Sequence, residues 1–185
     1  MISSITKIDI SVLAFIQDHL RIRWLTPVMQ SISAWGFFGW FILVMVLLAF
    51  RKTRAAGKVA VVSLAIEVII VNLGLKLLFA RIRPFDAYDF LVPIGKLPTD
   101  FSFPSGHTAN SFAVALAAVH MLPKKAGIPL VVLAALVAYS RLYLGVHYLS
   151  DVICGFLVAL VISQAVWYFM VKRPESAESK ITGLE

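Results

Sequence analysis

The chain has 185 residues, about one domain's worth, and 60% of them are hydrophobic, against roughly 45–50% in soluble domains. A water-soluble fold is excluded on that ground. The net charge of +7 could attract nucleic acid, but the basic residues fall into separate inter-helix loops and form no continuous stripe, so no nucleic-acid partner is expected. A single cysteine, Cys154, rules out an intramolecular disulfide or a cysteine zinc cluster and is expected to be a small buried apolar residue.

The N-terminal stretch MISSITKIDISVLAF lacks the basic start, apolar run and small-residue cleavage site of a signal peptide. Residues 1–33 carry Lys7, Asp9, Asp18, His19, Arg21 and Arg23 among apolar residues at helical spacing (Ile8, Val12, Phe15, Ile16, Leu20), the pattern of an amphipathic helix lying in the membrane interface. Five apolar runs then approach the ~20 residues a bilayer crossing needs: Ala34 to Phe50, Val59 to Ala80, Gly106 to Leu122, Ile128 to Leu144 and Tyr148 to Val171. The expected fold is an all-α, polytopic transmembrane bundle of five spans, or six if residues 1–33 also cross.

Basic residues follow the first run (RKTRAAGK), the third (Lys124, Lys125) and the last (Lys172, Arg173), which assigns those places to the cytoplasm. If the five spans alternate, Arg81 to Ser105 and Arg141 to His147 lie on the opposite, extracytoplasmic side of the cell membrane. The chain divides into an interfacial segment over 1–33, a transmembrane domain over 34–172 and a polar tail over 173–185, expected to be disordered.

All the unusual polar residues fall on that outer side, in three clusters. Lys76 and Arg83 are seven residues apart, nearly two helical turns and so on one face, and Pro84 is expected to end the helix near Arg83. Snorkelling at an interface accounts for this pair equally well. In FPSGHTANSF, Ser105 is a good N-cap; the free N–H groups and positive dipole end of a helix starting there form an anion site, and Gly106 lets an anion approach the backbone. Alone, a capped helix with an interfacial His107 explains this stretch as well. In SRLYLGVHYLSD, His147 and Asp151 are four apart, hence neighbours on a helical face. A carboxylate there can accept the Nδ1 proton of the imidazole and leave Nε2 free as a nucleophile; a bracing His–Asp pair is the alternative.

Two His and one Asp also resemble a metal-ligand set. Lys76, Arg83 and Arg141 would repel a divalent metal, whereas their shapes and charge suit a phosphate, so no metal is expected. Glu67, nine residues before Lys76, falls on the opposite face of their helix and has no assigned role. Asn72 and Asn110 share helical faces with Lys76 and His107.

In order, spacing and membrane placement the three clusters resemble the signature of the type 2 phosphatidic acid phosphatase superfamily, Lys-x6-Arg-Pro, Pro-Ser-Gly-His and Ser-Arg-x5-His-x3-Asp, here KLLFARIRP, PSGH and SRLYLGVHYLSD. The resemblance implies that His147 attacks phosphorus, oriented by Asp151, to form a phosphohistidine. It implies that His107 protonates the leaving oxygen and then activates water, and that Lys76, Arg83, Arg141 and the N–H groups around Ser105 and Gly106 hold the phosphoryl oxygens, with no cofactor or metal. A phosphate or diphosphate on a lipid anchor is the implied substrate, undecaprenyl diphosphate first, phosphatidylglycerophosphate or phosphatidate as the alternative. A lipid-phosphate binder or transporter would need the cations but neither nucleophile nor acid.

Overall fold

The computed structural model describes residues 4–174, apart from the side chain of Phe37, and among these every regular element is helical. Helix α1 (Ser4–Phe15) runs on into a π turn, Ile16–Leu20, and is followed by α2 (Leu25–Ala49). Helix α3 (Arg54–Val68) continues through a π segment, Ile69–Leu75, into the short α4 (Lys76–Phe79), and α5 (Pro84–Ala87) is a single turn. Then come α6 (Gly106–Met121), α7 (Lys124–Tyr143) and α8 (Leu149–Trp167), the last closing in a π turn, Tyr168–Lys172. The expected tail lies almost wholly outside the described residues.

Helix α6 is the centre of the bundle because its side chains are small. Ala109, Ala113, Ala115, Ala117 and Ala118 are fully buried, and 11 of its 16 residues are buried in all. The small face lets α3, α7 and α8 pack closely against it. At its start, a Cβ built on Gly155 of α8 would stand 2.7 Å from the Ser105 carbonyl oxygen, so only glycine permits that approach. The main core is made by α6 with Trp40, Val44, Val59, Ala134 and Ile162 of its neighbours.

Three helical stretches are long and apolar enough to cross a membrane: Arg54–Ala87, Lys124–Tyr143 and Leu149–Lys172. A fourth is added if the two halves of α2, Leu25–Gly36 and Phe38–Ala49, bent by 47°, count as one. Helix α6, about 24 Å long at 1.5 Å per residue, is shorter than a full crossing usually needs. On the outer surface of the bundle, large apolar side chains are widely exposed, Leu78 to 76%, Val161 to 68% and Leu73 to 66%, a surface suited to hydrocarbon and not to water.

The first long helix begins at Leu25, nine residues earlier than the apolar run suggests. Pro27 falls within its first turn, where a missing N–H is harmless, and Ile22 O accepts the N–H groups of Leu25 and Thr26. The preceding α1 does not lie apart from the bundle. Its Leu13 and the following Ile16 enter a second core with Leu91, Leu142, Tyr143, Val146 and Tyr148. Arg21 donates to Tyr143 O at 2.9 Å and Val92 O at 2.5 Å, while Gln17 exchanges hydrogen bonds with Phe90 O and Val92 N. The N-terminal segment is therefore strapped across the end of the bundle where the polar clusters collect.

The π segment changes which side chains share a face. Its i→i+5 ladder winds more slowly than an α-helix, so Glu67 and Lys76, opposite one another on an ideal helix, both turn inward and are 0% and 7% exposed. Both carboxylate oxygens of Glu67 lack a hydrogen-bond partner among the described residues.

Candidate active site

The helix carrying Lys76 stops at Phe79, earlier than Pro84 alone would require, because Ala80 takes a left-handed conformation (φ 43°). Residues 80–83 leave the helix, and Pro84 opens α5 at its N-terminus, where it needs no N–H partner. Lys76 and Arg83 are thus not one above the other on a helix. They converge all the same, each almost fully buried, on the carboxylate of Asp100. Arg83 Nη2 donates to Asp100 Oδ1 at 2.6 Å and its Nε to the Asp100 carbonyl oxygen at 2.7 Å, while Lys76 pairs with Oδ2. Burial works to raise the Asp100 carboxyl, but the hydrogen bonds and charges of Lys76 and Arg83 outweigh it and hold it at about 2.

Ser105 occupies the N-cap position of α6, as its residue type suggests, but its side chain does not cap. Its Oγ accepts from Thr108 Oγ1 at 3.0 Å, and its N–H is used by the Asp151 carbonyl at 3.1 Å. The first N–H groups of α6 therefore have no side-chain cap from Ser105 and keep the anion-facing character of a helix start. A Cβ on Gly106 would lie 3.1 Å from Asn72 Oδ1 and 3.9 Å from Lys76 Cε, which places this backbone against the Lys76 cation. His107 lines a cavity of about 530 Å³ with Arg141, Lys96, Gln30, Ser33 and Phe38. It is within electrostatic reach of Arg141, His147, Lys76 and Asp100.

Arg141 is buried in the last turn of α7 and donates through Nη1 to Ser33 Oγ of α2. The chain then turns at Gly145, whose φ of 71° suits glycine, and delivers His147 from a loop and not from the face of a helix. Asp151 sits in the first turn of α8, where it accepts the Tyr148 N–H at 2.9 Å and so caps its own helix. The two side chains still meet at ion-pair distance: His147 Nδ1 is 3.5 Å from Asp151 Oδ2, too long for a good hydrogen bond, and Nδ1 has no other partner among the described residues. On the other side of the ring, Nε2 lies 3.4 Å from Arg83 Nη1. Burial above all lowers the His147 pKa, to about 4, with Arg141 and Arg83 pushing the same way against the raising pull of Asp151. The imidazole is neutral at neutral pH.

All eight side chains and backbone positions singled out in the sequence thus gather at one end of the bundle. Four participants were not singled out. Asp100 fills the space between Lys76 and Arg83, Ser102 donates to Asp151 Oδ2 at 2.5 Å, Arg81 donates to Asp151 Oδ1 at 2.5 Å, and Asp9 holds Arg81 from α1. Ser102 and Asp100 sit within six residues of FPSGH, and Arg81 stands inside the Lys-x6-Arg stretch, so proximity to the motif was the available signal for those three. For Asp9 the only hint was a lone acid in an amphipathic helix. Among the described residues no cluster of three or more His, Cys, Asp or Glu side chains is disposed to hold a metal ion.

A buried imidazole with a carboxylate on one side and the Arg83 guanidinium on the other gathers with Lys76 and Arg141 at one end of a bundle whose long apolar helices can cross a membrane, the arrangement expected of a membrane phosphatase. The comparisons agree: residues 56–175 match the PAP2 superfamily, and the chain belongs to that family. Over 147 residues it is 35% identical to an undecaprenyl-diphosphatase of Sulfolobus acidocaldarius, covering 79% of this chain and 71% of that one. It is 32% identical over 168 residues to phosphatidylglycerophosphatase B of Bacillus subtilis, covering 83% and 76%. The crystal structure of a transmembrane PAP2-type phosphatidylglycerolphosphate phosphatase from Bacillus subtilis superposes with a TM-score of 0.74 at 29% identity, over 92% of this chain and 88% of that one. The protein is an integral membrane lipid phosphatase.

Proposed function

We propose that the protein hydrolyses a polyisoprenyl diphosphate, undecaprenyl diphosphate in particular, through a phosphohistidine at His147. The observation that carries this reading is the pairing of His147 Nε2, 3.4 Å from Arg83, with an anionic group already seated between Arg83 and Lys76. The Asp100 carboxylate stands where two phosphoryl oxygens would bind. In the first step Nε2 bonds to the terminal phosphorus, the bridging P–O bond breaks, and His107 gives its proton to the departing lipid phosphate. In the second, His107 takes a proton from water, the oxygen attacks phosphorus, and the P–N bond breaks to release inorganic phosphate. Lys76, Arg83, Arg141 and the N–H groups at Gly106 hold the equatorial oxygens throughout. A wall of three cations is poorly suited to a divalent metal, and the reaction needs none.

Five helices, α2, α3 with α4, α6, α7 and α8, cross the membrane in this reading, with α1 in the interface. The site residues lie at the same end of all of them, and Arg51, Lys52, Arg54, Lys58, Lys124, Lys125, Lys172 and Arg173 at the other. The positive-inside rule then turns the site to the extracytoplasmic face. Lys96 on the rim of the His107 cavity supports a diphosphate, as does the identity to an undecaprenyl-diphosphatase. The superposition on a phosphatidylglycerolphosphate phosphatase favours that lipid as a second reading. Phosphate release by the purified protein with EDTA, comparing undecaprenyl diphosphate, phosphatidylglycerophosphate and phosphatidate, decides between them. A preference of about tenfold in kcat/KM, ~1.4 kcal/mol, for the first supports the proposal, and the same preference for another lipid rejects it.

A further inference from the structure

Asp9 is 1% exposed although it stands in the N-terminal helix, ahead of the residues the family match covers. Its Oδ1 accepts the Ser150 N–H at 2.8 Å, so a carboxylate from α1 caps the first turn of α8, the turn that carries Asp151. Its Oδ2 accepts from Ser150 Oγ at 2.6 Å and from Arg81 Nη2 at 2.7 Å. The other arm of the same guanidinium, Nη1, reaches Asp151 Oδ1 at 2.5 Å and Ser150 Oγ at 2.7 Å. The Arg81 plane lies 3.9 Å over the Tyr148 ring. Both arms of the Arg81 guanidinium and its ring-facing plane are thus engaged, and the line Asp9–Arg81–Asp151 ends at His147.

We propose that Asp9 and Arg81 are positioning residues for phosphoryl transfer, an inference that rests on His147 as nucleophile and Asp151 as the carboxylate that orients it. When neutral His147 attacks phosphorus through Nε2 and keeps its Nδ1 proton, the ring becomes cationic and needs a negative group behind it. Asp151 alone would supply that charge, but its direct ion pair with Arg81 would cancel it. Asp9 on the far side of the guanidinium restores the balance: two carboxylates and one guanidinium carry a net charge of −1, and the phosphorylated ring neutralises it. A buried carboxylate also needs a charged partner in the resting enzyme, and Arg81 is that partner while His147 is neutral. Helix α1 is in this way a working part of the catalytic end.

The test uses the full chain with Asp9→Asn, which keeps the shape and one acceptor but removes the charge. The expected result is a loss of kcat on the order of tenfold, the lower end of what partners orienting metal-bound histidines cost. KM and the inhibition constant for vanadate stay within about twofold. In an Asp151→Asn background the same change has no further effect on kcat, since both act through one group. A lowered Tm with kcat unchanged, or a full additional loss in the Asp151→Asn background, overturns the inference. Should Asp9→Asn fail to fold, Ser150→Ala, which removes the hydroxyl shared by Asp9 and Arg81, gives the same readout: kcat falls with KM fixed, and unchanged kcat is contrary. His147→Ala separates the two levels. Turnover retained there defeats the reading of the site, whereas an inactive His147→Ala beside a fully active Asp9→Asn defeats only this inference.

Discussion

Replacing Asp100 by Asn should make the enzyme bind phosphate better, although the aspartate lies among the binding cations. Its carboxylate holds both Lys76 and Arg83, so a substrate phosphoryl group has to displace it. The downward shift from 3.8 to about 2 corresponds to an upper bound of ~2.5 kcal/mol at about 1.4 kcal/mol per unit. The side chain is 54% exposed, and solvent screening reduces that to about 1 kcal/mol. Since Asp100 is ionised at every pH above its pKa, acidification to pH 5 does not relieve the competition. Asp100→Asn should therefore lower the inhibition constant of vanadate about fivefold at neutral pH, from ~1 kcal/mol, measured by competition against lipid hydrolysis. An unchanged or raised constant would show that Asp100 does not occupy the phosphate position and would refute the assignment of Lys76 and Arg83 as its cradle.

Two other expectations follow from single contacts. His147 is held neutral by burial, with its pKa near 4 in the fold and about 6.5 in the unfolded chain; between these values the unfolded state binds more protons, so stability falls as pH drops from 6.5 to 4. His147→Gln should flatten that part of the Tm-against-pH curve in detergent, and an unchanged slope would contradict a neutral buried imidazole. Gly155→Ala would put a Cβ 2.7 Å from the Ser105 carbonyl oxygen and force α8 away from the start of α6. A loss of about 1–3 kcal/mol with reduced kcat is expected by denaturation and steady-state assay, and full stability would mean that the two helices are not in close contact.

Much of the site was legible because its residues come in short spacings with distinct chemistry. Lys76, Arg83, Ser105, Gly106, His107, Arg141, His147 and Asp151 could each be named from a motif, and hydropathy set them at one end of alternating helices. Local geometry was less legible. A π segment at Ile69–Leu75 and a left-handed Ala80 carry no strong sequence mark, so the helix-face argument misplaced Glu67 and described Lys76 and Arg83 as sharing a helical face when the helix ends between them. Contacts over long separations were invisible for the same reason that α1 looked detached. Asp9 finds Ser150 across 141 residues and Arg21 finds Tyr143 across 122, and nothing in the periodicity of an amphipathic helix says which polar residue turns inward.

The most direct test of a phosphohistidine at His147 is to mix the enzyme with undecaprenyl diphosphate labelled in its terminal phosphate, in EDTA, and to stop the reaction in alkaline detergent, where a P–N bond survives. Label should appear on the wild-type chain within one turnover, be lost on acidification, and be absent from His147→Ala. Label that persists in His147→Ala, or rapid turnover by that variant, would contradict the account.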